Sequence, residues 1–125
     1  MKIPEGYNSV MPYLIVADAA AFKAFIESVF MAKEKMVVMR GNSDVVMHGE
    51  STIGDSTIMF AQATDEFKQE NAGMFIWVEN ADTTYKEALK LGATSILPPE
   101  NKDYGRSCGV KDPFGNTWWI TSLIN

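Results

Sequence analysis

The 125-residue sequence is poor in cysteine, in histidine and in long apolar runs. Its one cysteine, Cys108, cannot form a disulfide within the chain, as is typical of proteins from a reducing compartment. No apolar stretch approaches the ~20 residues that a membrane-spanning helix needs. The first residues, as far as Gly6, lack the apolar core of a secretory signal. We therefore expect a cytoplasmic protein that does not enter a membrane.

Basic residues are also scarce. Eleven Lys and Arg stand against sixteen Asp and Glu, which leaves a formal charge of −5. A chain with this balance and no basic stripe would repel a phosphate backbone, so we expect no nucleic-acid partner. The hydrophobic fraction of 46% and the charged fraction of 22% are those of an ordinary globular protein. The length fits one domain, residues 1–125.

Two amphipathic helices are predicted. The first follows Asp18, a favourable N-cap, and carries apolar residues at helical spacing between Phe22 and Phe30. The second follows Asn80 and ends at Leu91, before Gly92, a residue suited to the left-handed conformation just after a helix.

Short strand-like runs surround these helices. They cover residues 10–16, 36–39, 45–53, 57–61, 74–78, 95–97, 104–110 and 117–122. The resulting order is βαβββ followed by βαβββ, and Val16-Ala17-Asp18-Ala19 recurs as Val78-Glu79-Asn80-Ala81. We predict an α+β fold with module 1 at about 8–62, a polar linker at about 63–71 and module 2 at about 72–123.

The Gly54-Asp55 pair predicts a two-residue hairpin turn and therefore a register. Ile53 pairs with Ser56, and the pairing continues to His48 opposite Ala61. Directly opposed residues share a face, so the sequence predicts two different faces for this hairpin. The apolar face, expected against the helix, carries Val45, Met47, Ile53, Ile58 and Phe60; the mixed face carries His48, Glu50, Thr52, Thr57, Met59 and Ala61.

Three segments of the chain resemble one known family. They are residues 9–16, the Met47-His48-Gly49-Glu50 strand, and the closing Lys-Asp-Pro-Phe-Gly-Asn-Thr-Trp-Trp-Ile at 111–120. With the paired modules, they resemble the vicinal oxygen chelate superfamily of glyoxalases, bleomycin-resistance proteins and extradiol dioxygenases, in particular its PhnB-like branch. The resemblance covers nearly the whole chain and implies curved mixed sheets around a cavity.

In metal-dependent members of that superfamily, four ligands lie on the first and last strands of the two modules. Those places carry over here to Met11, Met59, Gly73 and Trp119, none of which is a carboxylate, imidazole or thiolate. A divalent metal needs such ligands. We therefore expect no metal and no cofactor, and no chemistry of the kind that uses the metal as a Lewis acid.

The resemblance also implies which side chains line the cavity. Because Met59 takes an inward place, the mixed face should look inward, and His48 with Glu50 becomes a candidate acid–base pair. Alternation predicts further inward residues on the outer strands. The candidate ligand-binding residues are Tyr13, Met59, Phe75, Trp77, Arg106 and Trp119, although the sequence leaves the facing of Arg106 and of Cys108 open.

Three functions follow as alternatives. The first is metal-independent binding of a small aromatic or cationic molecule, as in proteins that sequester antibiotics. The second is an isomerase or lyase type of enzyme that uses His48 and Glu50 as acid and base. The third is a structural dimer whose cavity is filled by its own side chains. We expect a homodimer in each case, because family members of this length commonly build each cavity from two chains.

Overall fold

The computed structural model describes residues 1–124 and confirms the α+β class and the repeated βαβββ order. Ten elements follow one another along the chain. They are β1 (Tyr13–Val16), α1 (Ala19–Phe30), β2 (Lys33–Met39), β3 (Val46–Ile53), β4 (Ser56–Gln62), β5 (Gly73–Trp77), α2 (Ala81–Lys90), β6 (Thr94–Lys102), β7 (Gly105–Lys111) and β8 (Thr117–Ser122). Among these residues no helix has the length and apolar character needed to cross a membrane.

The strands form two four-stranded mixed sheets of the same topology. The first has the order β1-β4-β3-β2 and the second β5-β8-β7-β6. In each, the first strand runs parallel to the last strand of its module, and the other pairs are antiparallel. The chain divides into two compact units, residues 1–71 and a second unit that begins at Ala72.

Both helices begin where the sequence predicts. The Asp18 carboxylate accepts a hydrogen bond from the Ala21 N–H, and the Asn80 side chain accepts one from the Thr83 N–H. These bonds satisfy backbone donors that the first turn of a helix leaves free. After the second helix, Gly92 has a φ of 104°, a left-handed conformation that glycine adopts without strain.

Each helix covers one side of its own sheet. In the first unit, Leu14 and Val16 of β1 are buried with Phe22 and Phe60, whose rings meet edge to face with centroids 5.3 Å apart. In the second unit, Trp118 and Ile120 of β8 are buried on the corresponding side. Burying one such side chain stabilises a fold by about 1.5–3 kcal/mol. The alternate residues of each strand must therefore point to the other, helix-free side.

The predicted hairpin register is confirmed over five pairs, from Ile53–Ser56 to Gly49–Phe60. The sixth predicted pair, His48 with Ala61, does not belong to the described ladder. The prediction that Met47 lies on the buried face is wrong: Met47 is 42% exposed, whereas its neighbour Val46 is 1% exposed. The pairing of β2 with β3 shifts by one residue at this point, and such a bulge breaks the alternation of side chains.

Several strand bounds differ from those predicted, and two of these differences involve proline. β1 begins only at Tyr13, because Pro12 has no N–H to donate to a ladder. β6 continues past Leu97 to Lys102 despite two prolines, Pro98 and Pro99, since it is the edge strand of its sheet and has one unpaired side. β2 begins three residues early, at the charged Lys33, on another edge.

Two connecting segments are also ordered by specific contacts. The predicted linker joins the first unit, since Ile15 and Glu70 exchange two backbone hydrogen bonds of 3.1 and 2.9 Å. In the β7–β8 loop, the buried Asp112 carboxylate accepts hydrogen bonds from the Phe114 and Asn116 N–H groups, the Asn116 amide and the Trp118 indole. The β7–β8 loop is thus held in place by one buried carboxylate.

Candidate functional site

The helix-free side of the first sheet carries a row of residues that crosses all four strands. Tyr13 of β1 pairs with Met59 of β4, Met59 with Glu50 of β3, and Glu50 with Met36 of β2. His48 lies two residues from Glu50 on the same strand and pairs with Val38. We call the surface formed by Tyr13, Met36, His48, Glu50 and Met59 the first face.

Hydrogen bonds join the polar residues of the first face into one chain. The Tyr13 hydroxyl lies 3.0 Å from His48 Nδ1, and His48 Nε2 lies 2.7 Å from Glu50 Oε2. The other carboxylate oxygen, Oε1, accepts a hydrogen bond of 2.5 Å from the Tyr7 hydroxyl. Three of the residues that the sequence singled out are therefore brought together, and Tyr7 joins them.

The environment of Glu50 favours its ionised form. The residue is 5% exposed, and burial by itself raises the pKa of its carboxyl. The hydrogen bonds from Tyr7 and His48 outweigh burial, with help from the charge of Lys35, and hold the pKa of Glu50 below its ordinary value. The same hydrogen bond to Glu50 raises the pKa of Tyr7. A carboxylate held in this way can orient an imidazole through one nitrogen and leave the other for chemistry.

Tyr7 is the residue of this group that the sequence does not reveal. It lies in the segment before β1, 43 positions from Glu50, in a stretch with no strand or helix period. Three further interactions hold that segment against the sheet. Lys35 Nζ donates to the Gly6 carbonyl over 2.7 Å while lying 3.7 Å from the centre of the Tyr7 ring, and the Thr57 hydroxyl donates to the same carbonyl.

The helix-free side of the second sheet is aromatic instead. Phe75 of β5 pairs with Trp119 of β8, and Trp119 pairs with Gly109 of β7. The Phe75 ring meets that of Trp77 edge to face with centroids 5.4 Å apart, and it lies 6.4 Å from the ring of Tyr104. We call the surface formed by Phe75, Trp77, Leu97, Tyr104 and Trp119 the second face.

A pocket of about 180 Å³ opens on the second face. Trp119 lies directly over Gly109, where a Cβ atom would overlap ring atoms Cε3 and Cζ3, so the glycine makes room for the indole. The pocket is bordered by three aromatic rings, a few aliphatic groups and an ion pair between Lys102 and Glu100. Its lining consists of Phe75, Leu97, Pro98, Glu100, Lys102, Tyr104, Ser107, Cys108 and Trp119.

The structure shows where the side chains of Arg106 and Cys108 point, which the sequence leaves open. Arg106 points toward α2, where its guanidinium binds both carboxylate oxygens of Asp82 over 2.6 and 3.0 Å and lowers the pKa of that carboxyl. Arg106 therefore lies outside the pocket lining. Cys108 borders the pocket but is 2% exposed, with its sulfur toward the carbonyls of Ala81 and Ile120, and burial raises the pKa of its thiol to about 11.

The four places at which the family resemblance implies metal ligands lack metal-binding side chains here. Met11 precedes β1, Met59 lies on β4, Gly73 begins β5 and Trp119 lies on β8. Within residues 1–124 no three side chains of His, Cys, Asp or Glu come together as a metal site would require. The donor set does not fit a divalent metal. A metal-free protein stays a prediction, which elemental analysis of gently purified material tests.

Comparison with known proteins identifies the family. The model of the Glyoxalase/Bleomycin resistance protein/Dioxygenase superfamily matches residues 6–120. The chain belongs to this superfamily. The family resemblance drawn from the residues is thereby confirmed. A search of curated proteins gave no significant match.

Solved structures share the fold of this superfamily member at low sequence identity. TioX from Micromonospora sp. ML1 is 18% identical with a TM-score of 0.74, over 94% of this chain and 100% of that chain. The PhnB protein from Bacillus cereus is 15% identical with a TM-score of 0.74, over 93% and 100%. The fosfomycin resistance protein FosX from Mesorhizobium loti is 22% identical with a TM-score of 0.64, over 96% and 92%. At these identities the likeness concerns the fold.

Proposed function

We propose that this chain binds a small planar organic molecule, aromatic or cationic, on the second face. The observation that carries this proposal is the open pocket bordered by the rings of Phe75, Tyr104 and Trp119. Aromatic rings stack on planar ligands for about 0.5–1.5 kcal/mol beyond their buried area, and they attract cations through their π faces. Glu100 at the border supports the cationic case, although Lys102 pairs with it.

The size of the pocket limits the ligand. Its volume of about 180 Å³ is below the ~300–1,000 Å³ typical of sites for drug-sized molecules. A ligand of one or two rings, partly exposed to water, suits such a pocket. The name of FosX describes a resistance protein, and binding of a small toxic compound is the function that we extend from such relatives to this chain.

Tryptophan fluorescence and calorimetry test this proposal with a panel of planar aromatic and cationic compounds. A bound ligand should quench the exposed Trp119. Substitution of Trp119→Ala should weaken affinity about tenfold or more, which corresponds to about 1.4 kcal/mol. Phe67→Ala removes an exposed ring from the first unit and serves as the matched control. Equal affinity in wild type and both variants, with unchanged thermal unfolding, would reject the second face as the site. If no compound in the panel binds, the result would favour the structural dimer.

A second candidate function is proton transfer by His48 and Glu50. The hydrogen bond of 2.7 Å between them, with Glu50 buried and oriented by Tyr7, supports it. An enzyme of this kind needs a base that is held by a third group, and the first face has that arrangement. His48→Ala should abolish any proton transfer that the first face performs, while ligand binding on the second face should persist.

We also propose that the protein acts as a homodimer. Edge strands β2 and β6 have unpaired sides, and both sheets expose large apolar side chains on their helix-free sides. An unpaired edge can template pairing with a second chain, and a large exposed apolar patch marks a protein–protein interaction site. Sedimentation at micromolar concentration should give twice the chain mass of 13.9 kDa, and a monomer at that concentration would contradict the proposal.

A further inference from the structure

The exposed end of the hydrogen-bonded chain on the first face is a phenol. Along the sequence of contacts Tyr7, Glu50, His48 and Tyr13, accessibility rises from the buried carboxylate to a hydroxyl whose residue is 48% exposed. Tyr13 is therefore the more accessible of the two residues, since the His48 side chain is 25% exposed. The hydroxyl is also well oriented, because it already has a hydrogen-bond partner in His48.

The direction of each hydrogen bond between Glu50, His48 and Tyr13 follows from the chemistry of the groups that it joins. A carboxylate only accepts, so the hydrogen between His48 and Glu50 belongs to Nε2. In the neutral ring Nδ1 then has a free electron pair, which accepts the Tyr13 hydroxyl hydrogen. The Tyr13 oxygen keeps its own electron pairs free for a third partner. A hydroxyl, an imidazole and a carboxylate in this order form the arrangement that activates a hydroxyl in hydrolases.

We propose that Tyr13, His48 and Glu50 form a proton relay in which Tyr13 is the catalytic residue that takes a proton from an acidic hydroxyl of the ligand. This inference rests on the second function proposed above and extends it to a residue and a ligand class. The ligand O–H bond breaks, its proton goes to the Tyr13 oxygen, and the Tyr13 proton passes to His48 Nδ1. The products are a ligand anion and an imidazolium beside the Glu50 carboxylate, so the total charge is unchanged.

The surroundings define the ligand class further. Met36 and Met59 flank Glu50 on the neighbouring strands, and Val38 lies beside His48. These side chains suit an aromatic ring more than a sugar or a phosphate. The titratable and charged groups that face the relay are Tyr7 from the N-terminal segment and Lys35 from β2, and Lys35 favours the negative charge of Glu50. The structure thus points to a phenol or an enol carried on an apolar frame.

Nitrogen NMR of His48 tests the relay without a ligand. His48 is the one histidine of the chain, so its two ring nitrogens give unambiguous signals. In the free protein, at a pH where the ring is neutral, Nε2 should carry the hydrogen and Nδ1 should carry none. Tyr13→Phe should shift the Nδ1 signal, whereas Tyr85→Phe, which removes a phenol that bonds Ser95 in the second unit, should not. A protonated Nδ1 in the free neutral ring, or no response to Tyr13→Phe, would overturn the relay.

The probe para-nitrophenol tests the transfer itself, because its anion absorbs visible light. At a pH where the free probe is mostly neutral, wild-type protein should produce the anion and protonate Nδ1. Tyr13→Phe should reduce the bound anion about tenfold or more, as expected for loss of a positioned acid–base group, with Tyr85→Phe as control. If the anion persists in Tyr13→Phe but disappears in His48→Ala, the inference fails and the acid–base function stands. If wild type forms no anion, or His48→Ala forms as much, both fail.

Discussion

The two helix-free faces occupy equivalent positions in two sheets of one topology, yet they carry different chemistry. Tyr13 and Met59 form a parallel pair on β1 and β4, and Phe75 and Trp119 form the corresponding pair on β5 and β8. On the first face the neighbours of that pair are an imidazole and a carboxylate, joined by hydrogen bonds. On the second face they are rings around a pocket. Repetition of a module thus duplicates positions in the sheet, while the side chains determine the chemistry of each face.

The central hairpins of the two sheets, β3–β4 and β7–β8, also differ from each other. The β3–β4 connection is two residues long, with Gly54 at a φ of 56° and Asp55 exposed to solvent. The β7–β8 connection is longer and is organised by the buried Asp112. A short turn needs only a suitable backbone, whereas a longer loop needs a side chain that replaces the missing ladder bonds. Equivalent substitutions made in the two units should therefore change the free energy of unfolding by different amounts.

The largest effect is expected at the two turn aspartates. Asp112→Ala leaves several buried N–H donors without their acceptor and should cost about 3 kcal/mol or more of unfolding free energy. Asp55→Ala changes an exposed turn residue and should stay within about 0.5 kcal/mol. Urea unfolding of both variants measures the difference. Similar costs in the two variants would mean that the Asp112 hydrogen bonds are not what stabilises the loop.

A second pair of variants compares two glycines that face rings. Gly49→Ala would drive a Cβ into the ring of the fully buried Phe60, so it should cost about 1–3 kcal/mol. Gly109→Ala meets Trp119, which is 37% exposed and can move outward, so its cost should be smaller. Its main effect should be weaker ligand binding. Thermal unfolding and the fluorescence titration measure the two quantities, and a reversal of the two stability costs would contradict the comparison.

Glu50 should make the stability of the first unit depend on pH. Burial raises its pKa, but the hydrogen bonds from Tyr7 and His48 lower the pKa by more than burial raises it. The ionised carboxylate therefore stabilises the folded state. That contribution is complete above the ordinary value of 4.5 and is lost as the pH falls through the lowered pKa. Glu50→Gln should cost about 1–2 kcal/mol near neutral pH.

The matched control is Glu100→Gln in the second unit, where the carboxylate pairs with Lys102 in water. Exposed pairs contribute little, so this variant should unfold like wild type. Denaturant unfolding at several pH values gives both curves. The gap between wild type and Glu50→Gln should narrow on acidification, and a gap that stays constant would exclude Glu50 as the titrating group.

The smallest effect is expected at Cys108. Because burial raises the pKa of its thiol to about 11, almost no thiolate is present near neutral pH, and the sulfur is inaccessible. Ellman's reagent should react with the unfolded chain and not with the native protein. Ligands of the second face should leave this result unchanged, whereas rapid native labelling would place the thiol on the pocket surface.

Much of the fold could be predicted because its signals are local. Asp18 and Asn80 cap helices through bonds to residues three positions away, and the Gly54-Asp55 turn sets the register of the hairpin that it connects. Family motifs in addition indicated the superfamily. The prediction failed at Met47, where a bulge interrupts the alternation, and at β6, whose prolines are tolerated only because that strand lies at an edge.

For the candidate site, the sequence by itself determined that His48 and Glu50 share a face and that the aromatic residues of β5 and β8 share one side of their sheet, since strand alternation depends only on neighbouring residues. The tertiary structure decided the rest. It brought Tyr7 to Glu50 across 43 positions, turned Arg106 toward Asp82, and ended the hydrogen-bonded chain at the Tyr13 hydroxyl. Those contacts depend on where non-periodic segments and long side chains meet after the sheets have formed, and no local pattern encodes that meeting.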